Sequence, residues 1–368
     1  MNFCAGKVDK SFLGITALLV VLGFFIFSSA SLGVLASNQI KFSSVAFNQT
    51  FFGIFLGSIA CLIFSKIDYK LYRKNAFILF ALSIVLTLLV FVPSIGLSHG
   101  GATRWIDLGF ISFQPSELLK IGFVIYLAAF ISKAKDRIKT LNGGLLPFFA
   151  ILAVAGAVLL AQPDTDTYAV MIFAGLAMFI VGGGKWSHII AVGLIGVLGI
   201  ATVAYMRPYV KERIMTFIDP GANSLTSGYQ IQQSLIAVGS GGVVGKGFGK
   251  SIQKFSYLPE PIGDSIFAVA AEEFGFIGAS IIIIMFVFFC FKGLKIAARA
   301  PDAFGGLLAV GIVILIMSQM FVNVGGMIGL LPLTGIPLPF ISHGGTALFI
   351  TLVEAGIIMN ISRNSKRI

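Results

Sequence analysis

Acidic side chains are scarce in this sequence, so those that interrupt apolar runs are the first candidates for chemistry. Asp264 lies in Tyr257-Leu258-Pro259-Glu260-Pro261-Ile262-Gly263-Asp264-Ser265-Ile266-Phe267, where a proline-rich turn meets an apolar helix. A carboxylate there can act as a general base, or it can simply cap the helix. Glu272 and Glu273 follow about two turns deeper in that helix, and acids at such depth are functional candidates by default. Glu117 and Lys120 stand three apart in Gln114-Pro115-Ser116-Glu117-Leu118-Leu119-Lys120, hence on one helix face. They are either a neutralised structural pair or a place where Lys120 offers its charge to an anionic headgroup. Arg104 precedes Trp105, an interfacial residue, and is either an anchor or a headgroup contact. Asp164 and Asp166, in Gln162-Pro163-Asp164-Thr165-Asp166-Thr167, could bind a cation or cap a helix. The stretch from Gly239 to Lys250 is rich in glycine and contains Lys246, and its backbone N–H groups could meet phosphate oxygens. One carboxylate, several cations and a glycine-rich loop suit a lipid-linked phosphate substrate. Arg and Lys would hold its diphosphate while Asp264 takes a proton from a sugar hydroxyl.

The elements that position these residues are membrane spans. The chain is 57% hydrophobic and 11% charged, against about 25% charged in soluble domains, so lipid must solvate most of it. Apolar segments at 11–36, 45–65, 76–96, 113–132, 144–161, 168–182, 186–206, 264–291, 303–330 and 343–361 predict an all-α polytopic membrane protein. It has about ten transmembrane helices and one large extracellular loop, 207–263, between helices 7 and 8. Residues 1–368 read as a single integral membrane domain, and the first apolar run reads as a retained helix although its flanks also suit a signal peptide.

Charge sets the orientation. With the N-terminus in the cytoplasm, the inside segments carry Lys66, Lys70, Arg73 and Lys74, then Lys133, Lys135, Arg137 and Lys139, then Lys292, Lys295 and Arg299. The short outside loops carry only Lys41 and Arg104, which is the bias that orients membrane proteins. Both termini are expected inside, and the candidate site outside. The formal charge of +11 is explained by this distribution, so no nucleic-acid partner is expected. Cys4, Cys61 and Cys290 form no disulfide or zinc pattern, and no structural metal site is expected.

Several segments in order resemble the SEDS family (shape, elongation, division and sporulation), typified by FtsW and RodA. They are Gly101-Ala102-Thr103-Arg104-Trp105-Ile106-Asp107-Leu108-Gly109, Phe113–Lys120, Tyr229–Gly242, Leu258–Pro261, Ala271–Gly278, Gly335–Ser342 and Asn360–Arg363. The resemblance implies a peptidoglycan glycosyltransferase that polymerises lipid II outside the cytoplasmic membrane of a bacterium. It further implies a class B penicillin-binding protein as partner, alongside divisome or elongasome membrane proteins. By the family pattern Asp264 is the catalytic aspartate. Arg104 and Lys120 match family positions that line the cavity, and the expected substrate-binding set is Arg104, Glu117, Lys120, Lys246, Glu260 and Ser342. A divalent cation (Mg2+ or Mn2+) at the diphosphate is allowed for, with no ligands fixed. The chain departs from the family at Gly263 and Ser265, which flank the aspartate, at Asp166, and at His343. Lys250–Pro261 looks more like the division branch than the rod-shape branch.

Three readings follow. The chain is a polymerase needing Asp264, a lipid II flippase or ion-coupled carrier using Glu117, Lys120 and Glu272 as a path, or a scaffold for a penicillin-binding protein. Paired broken helices in an inverted repeat would favour the carrier, and none is evident in the sequence.

Overall fold

The computed structural model describes residues 7–37, 39–99, 102–107, 112–206, 208–219, 221 and 228–365. Cys4, Gly101, Leu108 and Gly109, used above, lie outside the described residues. Helix follows helix from α1 (Lys10–Ser37) through α2 (Gln39–Phe47), α3 (Gly57–Phe64), α4 (Lys70–Lys74) and α5 (Ala76–Leu88). A small sheet then intervenes, of β1 (Gly96–His99), β2 (Ala102–Asp107) and β3 (Ser112–Phe113). The chain continues through α6 (Pro115–Ala134), α7 (Leu146–Ala161), α8 (Thr165–Val181) and α9 (Trp186–Met206). The long loop holds α10 (Pro208–Ile218), α11 (Tyr229–Ser240) and α12 (Gln253–Ser256), and α13 (Ile266–Ala298), α14 (Ala303–Met327) and α15 (Gly345–Arg363) complete the bundle.

Each expected span holds a helix. Among the described residues, 6 helices are long and apolar enough to cross a membrane, and shorter apolar ones cover Ala76–Phe91, Thr165–Val181 and Trp186–Gly196. α6 carries Glu117, Lys120 and Lys133, which lowers its hydropathy without shortening it. The chain is therefore a multi-pass membrane protein.

Two local departures matter. The expected span 76–96 gives out by Phe91, where α5 ends in a 3-10 turn, rather than running to residue 96. There the β-formers Thr103, Trp105 and Ile106 pair with residues 96–99 in an antiparallel ladder. The loop 207–263 is not irregular throughout, since α10 and α11 occupy much of it.

α14 is the hub: it packs against α13, α8, α6 and α15. Helices apolar on every side are buried in a bundle or face lipid, and in α6, α14 and α15 nearly every residue of the central turns is buried. A second close packing joins α15 to the helix that runs through α2 and α3. Residues Asn48–Leu56 between them form a π-helix. Gly53 and Gly57, four apart, bring that helix onto α15: a Cβ at either would meet Leu348 at 3.0 Å or Leu352 at 2.8 Å.

α13 is broken. Gly275 has φ 65° and ψ −164°, and its neighbours lose their helical bonds. The glycine-rich loop replaces them. The N–H groups of Phe276 and Ile277 donate to Gly242 O (2.8 Å) and Val243 O (3.1 Å), while Lys246 N and Gly247 N donate to Glu272 O (3.0 Å) and Glu273 O (2.9 Å). The 23 or so residues after the break are by themselves about 34 Å long, enough for the ~30 Å hydrocarbon core. Glu272 and Glu273 lie about two turns into α13, just before the break.

A side chain at position 275 has no room, because a Cβ would stand 2.3 Å from Gly245 N and 2.6 Å from Val243 O at a φ that favours glycine. Gly275→Ala is expected to cost about 2 kcal/mol or more, read as a lowered unfolding temperature of the purified protein in detergent. Gly14→Ala, with nothing within 4 Å of the new Cβ, serves as the control and should be neutral.

Candidate active site

The candidate residues gather at one end of the bundle, opposite to that where Asp9, Tyr69, Asp302 and Asn360 join helix ends by hydrogen bonds. Two adjoining hollows lie at the candidate end. One, of about 330 Å³ including the space open to solvent, is lined by Arg104, Gln114, Glu117, Lys120, Asp164, Asp166, Thr167, Gln319 and Gly335–Pro337. The other, of about 270 Å³ on the same measure, shares Glu117, Gln319 and Pro337 and continues past Leu338–Phe340 and Ser342 to the apolar side chains of α15. The result is one cleft with a polar mouth and an apolar floor.

Each polar residue of the mouth is held by a specific partner. Lys120 Nζ lies 2.8 Å from Glu117 Oε1, and both side chains are buried. Glu354, buried on α15, lies within electrostatic reach of the same pair. Arg104, at the mouth on β2, donates to Gln162 O (3.4 Å) and Pro163 O and reaches Asp164 Oδ1 at 3.8 Å. Asp164 caps α8, accepting from Thr167 N at 3.4 Å. Its other oxygen is buried without a hydrogen-bond partner. Burial pushes the Asp164 carboxyl up, and Asp166 adds to this while Arg104 opposes it. Asp166 binds Arg213 of α10 at 2.7 Å.

Asp264 lines neither hollow but adjoins their 335–342 wall. It does not cap α13: that position belongs to Ser265, whose side chain makes no capping bond. Instead the turn before it is bonded to the α14–α15 segment. His343 N donates to Ile262 O at 2.7 Å. Ser342 Oγ donates to Gly263 O at 2.7 Å and accepts from Leu338 N at 2.8 Å. Asn323 Nδ2 donates to Asp264 O and to Ile336 O, both at 2.8 Å. Gln49, at the start of the π-helix, holds the far side by donating to Ser342 O (3.1 Å) and accepting from Gly344 N (3.0 Å). Burial pushes the half-buried Asp264 carboxyl up to about 6, and the charge of Glu260 adds to this; Gln230 and Arg213 pull the other way. A carboxyl near 6 is matched to proton abstraction at neutral pH.

Glu260 is exposed, and its carbonyl closes the turn by accepting from Gly263 N (3.0 Å) and Ser265 N (3.2 Å). Lys246 is apart from the cleft. Its Nζ lies 2.7 Å from Glu272 Oε1, while Lys254 Nζ lies 2.6 Å from Glu273 Oε1 with both side chains fully buried. Ser29, Ser251 and the N–H groups of Ile252 and Gln253 complete the shell of these two carboxylates. Glu272 and Glu273 thus anchor the glycine-rich loop, and the Lys246 and Gly247 N–H groups are spent on α13 rather than open to a diphosphate. Among the described residues no group of three or more His, Cys, Asp or Glu could hold a metal ion. Asp164 and Asp166 already have arginine partners, so the residues present do not fit a protein-held divalent cation.

Arg213, Gln230, Gln319, Asn323 and Glu354 were not singled out from the sequence. Gln319 and Asn323 are four apart in an otherwise apolar span, and Glu354 is a lone acid in another, so the rule that marks Glu272 marks them too. Nothing local marks Arg213 or Gln230, which come from loop helices.

A polytopic helical bundle with a cleft of polar mouth and apolar floor, and a half-buried carboxyl beside it, defines a class of membrane enzyme. The chain belongs to the FtsW/RodA/SpoVE family of cell cycle proteins, whose pattern matches residues 9–367. It is 38% identical to the stage V sporulation protein E of Bacillus subtilis over 352 residues, covering 96% of each chain. It is 40% identical to a probable peptidoglycan glycosyltransferase FtsW of Geobacter over 307 residues, covering 83% of this chain and 84% of that one. In fold it is similar to a chain from a peptidoglycan synthase complex that coordinates polymerization and crosslinking, with TM-score 0.80 and 24% identity over 97% of this chain and 98% of that one.

The buried pair on α6 separates a structural from a ligand role. Lys120→Met leaves Glu117 buried without its cation and is expected to cost about 3–5 kcal/mol. Lys120→Met with Glu117→Leu should recover much of that. Unfolding of both single variants and the double variant in detergent checks it, and additive losses would uncouple the two residues.

Proposed function

We propose that this protein is a peptidoglycan glycosyltransferase that polymerises lipid II on the outer face of the bacterial cytoplasmic membrane, for the septal wall of dividing cells. The observation that carries the proposal is Asp264: a half-buried carboxyl at about 6, free of capping duty, beside a cleft bearing Arg104 and Lys120. The positive-inside distribution supports the outward placement. An FtsW among the relatives, together with the Lys250–Pro261 stretch, supports the septal role. The sporulation relative, matching 96% of the chain, favours a second reading in which the same chemistry serves wall synthesis during sporulation.

In the proposed step the Asp264 carboxylate accepts the proton of the GlcNAc 4-hydroxyl on one lipid II. The oxygen so activated attacks the anomeric carbon of the other saccharide chain. The C–O bond to undecaprenyl diphosphate breaks, and the diphosphate keeps the electron pair. Arg104 and the cation of the Glu117–Lys120 pair face the charge that develops on this leaving group. The apolar floor toward Leu348 leaves the polyprenyl chain in a hydrophobic setting. A class B penicillin-binding protein is the proposed partner, supported by the fold shared with a chain of a complex that couples polymerization to crosslinking.

The carrier reading gains nothing from the break in α13. The break is filled by the backbone of residues 242–247, and Glu272 is bound by Lys246, Ser251 and backbone N–H groups. Neither feature lines a path.

The first test is glycan polymerisation from lipid II by the purified protein with its penicillin-binding partner. Asp264→Asn should lower the rate by about 10³-fold or more while fold and partner binding persist; equal product from both chains would move the base elsewhere. The pH profile gives a second test. Asp264 must be ionised to accept a proton, so the rate should fall about tenfold per unit below about pH 6 and level off above it. Glu260→Gln removes a charge that raises the carboxyl, so its acid limb should move to lower pH.

A further inference from the structure

We infer that Asn323 is the positioning residue of Asp264: its side-chain amide ties the Asp264 backbone to the cleft wall and so sets where the carboxylate stands relative to bound substrate. This rests on the role proposed above for Asp264.

The residues leading into Asp264 form a turn with no helical or strand bonding to neighbours on its outer side. Three successive carbonyls, those of Ile262, Gly263 and Asp264, instead each accept one hydrogen bond, from His343 N, Ser342 Oγ and Asn323 Nδ2. Asn323 differs from the other two donors because its second N–H goes to Ile336 O, at the same 2.8 Å. Ile336 lines the mouth of the cleft with Arg104 and Lys120. One planar amide thus spans the proposed base on one side and the wall of the substrate space on the other. Asn323 is 1% exposed, and its Oδ1 has no hydrogen-bond partner. Both donors are used while a buried acceptor is left unsatisfied, an arrangement that tolerates an energetic cost to keep the two donors in place. The clamp uses Gly263 and His343 through backbone groups alone, so the departures of this chain from its family at those two positions leave it intact.

A residue that only stabilised the fold would change how much active protein survives, and not how the surviving protein titrates. The test uses the full chain with its penicillin-binding partner and lipid II, comparing native, Asn323→Leu, Asn323→Ser, Ser342→Ala and Asp264→Asn. Loss of the clamp should lower kcat by about 10- to 100-fold, the scale of a misplacement near 1 Å, with KM for lipid II within about twofold. The acid limb should also move to lower pH as the carboxylate gains access to water. If Asn323→Leu does not fold, Asn323→Ser, which keeps one small donor, carries the same comparison, with Ser342→Ala loosening the neighbouring carbonyl. A normal kcat in the Asn323 variants, or a rate scaled equally at all pH values, would overturn the inference while an inactive Asp264→Asn left the function standing. An active Asp264→Asn would instead remove the base itself, and with it the need for a clamp.

Discussion

Backbone N–H and C=O groups inside a membrane protein must find partners within the protein, because hydrocarbon offers none. At Gly275 this requirement joins two distant parts of the chain. The broken helix frees two carbonyls on one side and two N–H groups on the other, and residues 242–247 take all four. The long loop is thereby fastened to the bundle close to the point where it re-enters it. Glu272 and Glu273 reinforce the junction with buried ion pairs to Lys246 and Lys254. In such a place a charge is tolerated only when its partners are complete, and these two carboxylates are surrounded by donors from the loop they hold.

The same rule operates, with different means, around Asp264. The turn 262–264 has no helix to satisfy it, so its carbonyls are met one by one from α14 and from the segment leading into α15. Gln49 in turn holds that segment from the π-helix, and π-helical turns recur at functional sites. Asp264 is left with its backbone constrained and its carboxylate uncommitted to capping. The opposite holds for Asp164, which caps α8 and is drawn toward Arg104. Two aspartates that look alike in the sequence are given different work by their surroundings.

The cleft separates the chemical tasks along its length. Its mouth brings Arg104 of β2 and Lys120 of α6 together with the carboxylates Glu117, Asp164 and Asp166, while its floor is apolar and leads toward α15. Asp166 captures Arg213 and so ties α10 of the long loop to the start of α8.

Periodicity and hydropathy were enough to place the helices, because a membrane span needs a long apolar run and little else. Motif order identified the family, and the type and setting of Asp264 marked it for chemistry before any fold was known. The break at Gly275 was not legible, since an apolar run reads as one helix whether or not a glycine within it adopts a positive φ. Glu272 and Glu273 were marked as functional candidates by their depth, and the structure shows them bound by Lys246, Lys254, Ser29 and Ser251. Asn323 and Gln319 were visible as polar residues in an apolar span, but not what they touch. Composition and spacing determine which segments enter the membrane and which side chains are costly there. Only tertiary structure decides which partners relieve that cost, because hydrogen bonds and ion pairs act over a few ångströms between residues that the sequence holds hundreds of positions apart.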